Sequence, residues 1–191
     1  MIRHQSHPNE TLSGPQPETA GGRFCGGPLL AYPGTMAEKT IGAWALVALQ
    51  ALLFLLVVVA ALLPAMGPAL WASLALSIAL TLAGAAAMLW SGIDLGSSLT
   101  PLPIPNGMGL AAKGIYKFAR HPMYSGILLI CLGVAVGAGK IQVYVVVAAL
   151  AVFFEFKTRA EERYLVTVYE GYGAYAAATG KFIPGVAKRQ A

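Results

Sequence analysis

Two long apolar runs organise the chain. From Thr40 to Ala112 the sole charged residue is Asp94, and from His121 to Phe154 the sole one is Lys140. Runs of this length without charge read as membrane spans. The first predicted span is Ile41–Leu63, roughly 35 Å of helix by its rise per residue. Pro64 and the Gly67-Pro68 pair predict a turn, and a second span follows over Ala69–Ile93. Pro122 suits a first helical position and opens a third span to Gly139. Lys140 makes the next turn and Ile141–Phe156 forms the fourth. The last two spans are short and closely linked, which predicts a helical hairpin. Beyond Phe156 the chain turns charged and is expected to stay helical to about Tyr169. The expected fold class is all-α: a polytopic membrane protein with about four transmembrane helices and a cytoplasmic C-terminal helix.

The segments outside the spans differ in kind. Residues 1–37 are rich in Gly, Pro, Ser and Thr and lack apolar periodicity, so they read as a flexible polar tail. Met36 is an alternative start, because the patterned domain, 38–191, begins just after it. No apolar stretch of signal-peptide length precedes residue 28, so the first span is expected to direct its own insertion. Pro101, Pro103 and Pro105 favour extended backbone, and a basic segment with Lys113, Lys117 and Arg120 follows. Ser73, Ser77 and Thr81 line one face of span two; small residues at this spacing let helices approach closely in lipid. Gly133 and Gly137 offer a similar surface on span three, with pairing between two copies of the chain as a possible use.

Composition agrees with the pattern. Apolar residues make up 57% and charged residues 11% of the 191 positions, against about 25% charged in soluble domains. A disordered chain and a nucleic-acid partner are both excluded. The net charge is +5, and the excess lies from Lys113 onward, with ten basic and four acidic side chains. Four spans put both termini and the 94–121 loop on one side, where twelve of the thirteen basic residues fall. The positive-inside rule assigns that side to the cytoplasm. Cys25 and Cys131 lie in unlike surroundings and predict no disulfide framework.

Two clusters carry the candidate chemistry. The first runs from Gly114 to Tyr124 and contains Tyr116, Lys117, Arg120, His121, Pro122 and Tyr124. The second is Glu155, Arg159, Glu161 and Glu162 at the inner end of span four. Glu155, Arg159 and Glu162 stand at i, i+4 and i+7, an acid-base-acid stripe. A plain reading makes Arg120 and Lys117 headgroup anchors, the tyrosines an aromatic belt, His121 a helix cap and the stripe a solvated face. Against it, carboxylates beside a bilayer are costly and tend to mark function.

The same residues resemble a family of membrane methyltransferases. This family includes isoprenylcysteine carboxyl methyltransferases and phospholipid (phosphatidylethanolamine) N-methyltransferases. The resemblance covers about Asp94–Pro184. One block, Gly114-x-Tyr116-x-x-x-Arg120-His121-Pro122-x-Tyr124, is like the family's G-x-Y-x-x-x-R-H-P-x-Y. The other is Glu161-Glu162-x-x-Leu165, continued by Tyr172-x-x-Tyr175 and Thr179-Gly180-Lys181-Phe182-Ile183-Pro184. Met108 departs from the pattern where some members carry histidine.

The resemblance implies an integral-membrane enzyme that takes methyl groups from S-adenosyl-L-methionine. By carry-over, Met108, Gly109, Leu110, Ala111, Tyr116, His121, Pro122, Tyr124, Glu161 and Glu162 would bind that cofactor. His121, Tyr124, Arg159 and Glu155 are the expected catalytic residues, and no metal is expected. The partners implied are the lipid bilayer and a lipophilic methyl acceptor, in the inner membrane of a bacterium or archaeon. Two other readings stay open: an NADPH-dependent membrane reductase of the sterol-reductase type, and a non-enzymatic four-helix membrane protein.

Overall fold

A computed structural model describes residues 36–96, 110 and 112–188. The tail to residue 35, the proline-rich loop, and Met108, Gly109 and Ala111 lie outside the described residues. The described chain is all-helical apart from two isolated bridges. Its helices are α1 (Met36–Leu62), α2 (Leu74–Leu95), α3 (Pro122–Ala138), α4 (Ile141–Val168) and α5 (Tyr172–Ala178), with a 3-10 turn at Gly114–Lys117.

Three of these helices, Ile41–Leu62 within α1, α2 and α4, are long and apolar enough to cross a membrane, and α3 is a shorter apolar helix. The start of the second helix differs from the sequence reading. Helix α2 starts at Leu74, not Ala69, because Leu70 N donates to Gly139 O at 2.8 Å and Ala69 bridges to Lys140. Ser73 then caps α2, accepting from Leu76 N at 3.3 Å. The predicted fourth span and the charged segment after it form one helix. The buried side of α4 runs through Val143, Val147, Leu150, Phe154, Thr158 and Glu162, so the same stripe passes from apolar core to polar cluster.

Helix α3 joins α4 through only Gly139 and Lys140, and Gly139 takes the left-handed conformation that such a stop favours (φ +60°). Its closest partner is nevertheless α2. A Cβ on Gly126 would lie 2.7 Å from Gly84 O, and one on Gly133 would meet Ser77 O at 2.9 Å. Ser77 Oγ donates to Gly133 O at 2.8 Å. The Ser77–Thr81 face therefore packs as expected. Gly133 and Gly137 both face α2 of the same chain, at Ser77 and Thr81.

The helices run up and down, with turns gathered at one end. There Lys140 Nζ donates to Ala61 O and Leu63 O, both at 2.7 Å. At the other end Asp94, the 3-10 turn, the start of α3 and the end of α4 come together. A core of Val57, Ala60, Cys131, Ala135, Val143, Val147, Leu150, Phe153 and Phe154 connects the two ends. Leu49, Leu52, Leu55 and Val58 on α1 and Leu82, Leu89 and Ile93 on α2 are exposed, as lipid-facing side chains are.

Candidate active site

The polar end is built around Arg120, which is 6% exposed. Its Nε donates to Glu162 Oε1 at 2.9 Å. Its Nη1 donates to the carbonyls of Ala176 and Thr179 at 2.6 and 2.5 Å, and Nη2 to that of Ala187 at 3.1 Å. A planar guanidinium with five donors suits such a fan of acceptors. Backbone bonds extend the tie: Arg120 N donates to Gly180 O and His121 N to Lys181 O. One side chain thus fastens the C-terminal segment to α4 and to the start of α3. The plain reading of Arg120 as a headgroup anchor is overturned by this burial.

His121 stands at the N-cap of α3 but its side chain caps nothing. Its ring lies between two carboxylates, with Nε2 3.2 Å from Glu162 Oε1 and Nδ1 3.7 Å from Glu161 Oε2. Tyr124 Oη donates to Glu161 Oε1 at 2.6 Å, and its ring stacks on Phe154. His121, Tyr124 and Phe182 form an aromatic wall, with His121 to Tyr124 centroids 5.8 Å apart. Pro122 is buried at the first position of α3. The helix ladder leaves the first-turn amides of α3 unused.

The 3-10 turn holds Tyr116 beside this wall. Asp94 Oδ2 accepts from Ile115 N at 2.7 Å. Gly114 has φ +57°, and any Cβ there would overlap the Asp94 carboxylate. Tyr175 Oη donates to Tyr116 O at 2.7 Å. Burial, with the Asp94 charge added, pushes the Tyr116 hydroxyl up to about 12, although a Ser91 hydrogen bond acts the other way. Burial likewise raises Tyr175 to about 12, against the opposing Arg120 charge.

The expected site residues fall into two groups. Tyr116, His121, Pro122, Tyr124, Glu161 and Glu162 gather at the polar end, and Leu110 is half-buried just before it. Glu155 and Arg159 lie apart from them on the outer side of α4. Arg159 is 62% exposed in its side chain and its Nε pairs with Glu155 Oε1 at 2.7 Å. Glu155 Oε2 also meets Lys181 Nζ at 2.8 Å. The acid-base-acid stripe is therefore split, with Glu162 turned inward to Arg120 and His121. Sequence reasoning missed Asp94 as the anchor of the 3-10 turn and Lys181 as a buried ion-pair partner. It also gave no role to Lys157, whose Nζ sits 5.2 Å from the Tyr124 ring centroid.

The fold and the cluster define a polytopic helical membrane protein whose ionisable groups converge at one end of the bundle. The phospholipid methyltransferase family matches residues 72–171, just over half of the chain. The chain belongs to that family and is a membrane methyltransferase. The matched segment takes in α2, α3 and α4 with both polar clusters, and stops before α5. No curated protein and no solved structure shows significant similarity to the chain.

Proposed function

We infer that this chain transfers a methyl group from S-adenosyl-L-methionine to a lipophilic acceptor that reaches the site from the bilayer. Acceptors of this description are an isoprenylcysteine carboxylate, a phospholipid amine or a similar small hydrophobic molecule. The observation that carries the reading is the Tyr124–Glu161–His121–Glu162 array at the mouth of α3, set within the family match.

The donor set suits such a cofactor. When bound, S-adenosyl-L-methionine supplies an electrophilic methyl group on a cationic sulfonium, with an ammonium, a carboxylate and ribose hydroxyls alongside. Glu161 accepts one bond from Tyr124 and keeps lone pairs on both oxygens for an ammonium or a hydroxyl. Glu162 is committed to Arg120 and His121, so its part is to hold His121 in place. The tyrosine rings attract a cation through their faces. The first-turn amides of α3, next to Pro122, suit a carboxylate. Leu110 and the neighbouring Met108, Gly109 and Ala111 would offer backbone contacts.

Methyl transfer is governed by alignment at about 3–3.5 Å between reacting atoms, so positioning by these side chains is the main catalytic contribution. A carboxylate or thiolate acceptor needs no base. An amine acceptor must lose a proton, and His121 Nδ1 is placed to take it, being the ring nitrogen farther from the Arg120–Glu162 pair. Glu155 and Arg159 act from outside, by holding Lys181 against α4. With the positive-inside rule, the site and both termini face the cytoplasm of a bacterial or archaeal cell.

Calorimetry on the detergent-purified chain tests the reading. Adenosylhomocysteine should bind and NADPH should not. Binding of NADPH alone would replace the methyltransferase reading by the reductase one.

A further inference from the structure

Lys157 is the one buried cation of α4 that makes no ion pair at contact distance among the described residues, and the charge of Glu161 reaches it only from farther off. It is 3% exposed, and among the described residues no carboxylate oxygen lies within ion-pair distance of its Nζ. Its helical neighbour Glu161 points instead to Tyr124 and His121. Lys157 Nζ turns across to α1, where it donates to Gln50 Oε1 at 2.6 Å, and rests 5.2 Å from the centre of the Tyr124 ring. A buried ammonium has three donors and a charge, and here it finds one neutral oxygen and one aromatic face.

Gln50 is equally out of place. It is the sole polar amide in the run from Ile41 to Leu62. An amide in a helix facing lipid is costly without a partner. The pair joins α1 to α4 beside Tyr124, and the Tyr124 hydroxyl binds Glu161 of the polar end. Phe54 and Phe154 pack nearby with apolar surface.

We propose that Lys157 and Gln50 form a recognition site for the anionic oxygen group, carboxylate or phosphate, of the membrane-embedded methyl acceptor. The anion takes the place of Gln50 Oε1 on Lys157 Nζ. The Gln50 amide then turns its NH2 toward the same anion, so both side chains donate. The charge of Lys157 is matched, and the acceptor is fixed by its anion beside Tyr124. The inference rests on the methyltransferase reading for the identity of the ligand as acceptor.

The test uses the full chain in detergent micelles, with native mass spectrometry reading lipid retention. The probes are dioleoyl phosphatidylethanolamine for phosphate, oleic acid for carboxylate and oleylamine for neither. The wild-type chain should retain the first two over oleylamine. Lys157→Met should weaken that retention about tenfold, Lys157→Arg should restore most of it, and Gln50→Leu should give an intermediate loss. Adenosylhomocysteine affinity, measured by calorimetry on the same variants, should stay within about threefold. Equal retention of all three probes, or unchanged retention in Lys157→Met, overturns the proposal. So does a tenfold loss of adenosylhomocysteine affinity with retention intact, since Lys157 would then hold the donor's carboxylate. If Lys157→Met does not fold, Gln50→Leu and Lys157→Arg decide alone. Failure of the wild-type chain to bind adenosylhomocysteine would remove the methyltransferase reading, while the lipid arms still judge the anion site.

Discussion

Glu161 and Glu162 are adjacent in the chain and carry different loads. Glu162 Oε1 receives both Arg120 and His121, so removing its charge leaves a buried guanidinium poorly paired. Glu161 receives Tyr124 and stands only 3.7 Å from the His121 ring. Glu162→Gln should therefore destabilise the fold by about 1.5–3 kcal/mol, the worth of a charged hydrogen bond. Glu161→Gln should leave thermal stability nearly unchanged and weaken adenosylhomocysteine by roughly 10- to 150-fold, the same energy expressed as affinity. Thermal unfolding and calorimetry on both variants check the division. The proposed ligand contact is Glu161, because Glu162 is already engaged by Arg120 and His121.

Two tyrosines set an alkaline limit. The fold raises Tyr116 and Tyr175 from 10.0 to about 12, so the folded chain keeps protons that the unfolded chain releases between those values. The linked stability is intact below about pH 10 and falls as pH rises through about 12. Tyr116→Phe should be less stable at neutral pH, where it loses the Ser91 bond, but should show a shallower decline across this window. Unfolding temperatures measured along a pH series read the slope directly.

The residues that the sequence disclosed are those with partners of fixed type at short range. Tyr124, His121, Glu161 and Glu162 stood out as charged or aromatic groups at the ends of apolar runs. Arg120 was visible, but its carbonyl partners at Ala176, Thr179 and Ala187 carry no sequence signal. Asp94 reads as the end of a span because its partner amide lies at Ile115, across the proline-rich loop.

At the scale of elements, the contact of α2 with α3 is made by glycines. A Cβ on Gly126 would lie 2.7 Å from Gly84 O and 2.9 Å from Met88 N, both backbone atoms that cannot swing aside. Gly126→Ala should separate the helices and cost about 1–3 kcal/mol, as overpacking does. Gly92 also lies on α2, but a Cβ added there would meet no neighbouring atom within 4 Å. Gly92→Ala should accordingly stabilise by about 0.5–1 kcal/mol through helix propensity. Thermal unfolding in detergent compares the pair. Apolar periodicity located all four long helices. It misplaced the start of α2 because a tertiary bridge, Ala69 to Lys140, keeps that stretch extended. The expectation that the chain stays helical beyond Phe156 to about Tyr169 agrees with α4, whose charged residues there are good helix formers and whose buried stripe continues to Glu162.

For the whole molecule, the turns at residues 63–73 and 139–140 share one end and carry a single charge, Lys140. The opposite end holds the paired cluster and the basic excess. Helix α3, with 17 residues, spans roughly 26 Å by its rise, slightly less than a typical hydrocarbon core. With α3 crossing alongside the three longer helices, four antiparallel crossings would put both termini on the basic side. Reporter fusions at residue 37 and after residue 185 should both read as cytoplasmic. A fusion reporting the outer side at either point would show that α3 does not cross.

The polar end of this bundle is proposed to move a methyl group onto a lipophilic acceptor. The most direct measurement incubates the purified full chain, in vesicles made from bacterial polar lipids, with methyl-labelled S-adenosyl-L-methionine. The proposed transfer puts label in the organic-soluble fraction, suppressed by adenosylhomocysteine and by Glu161→Gln. A folded chain that leaves all label in the aqueous donor would contradict it.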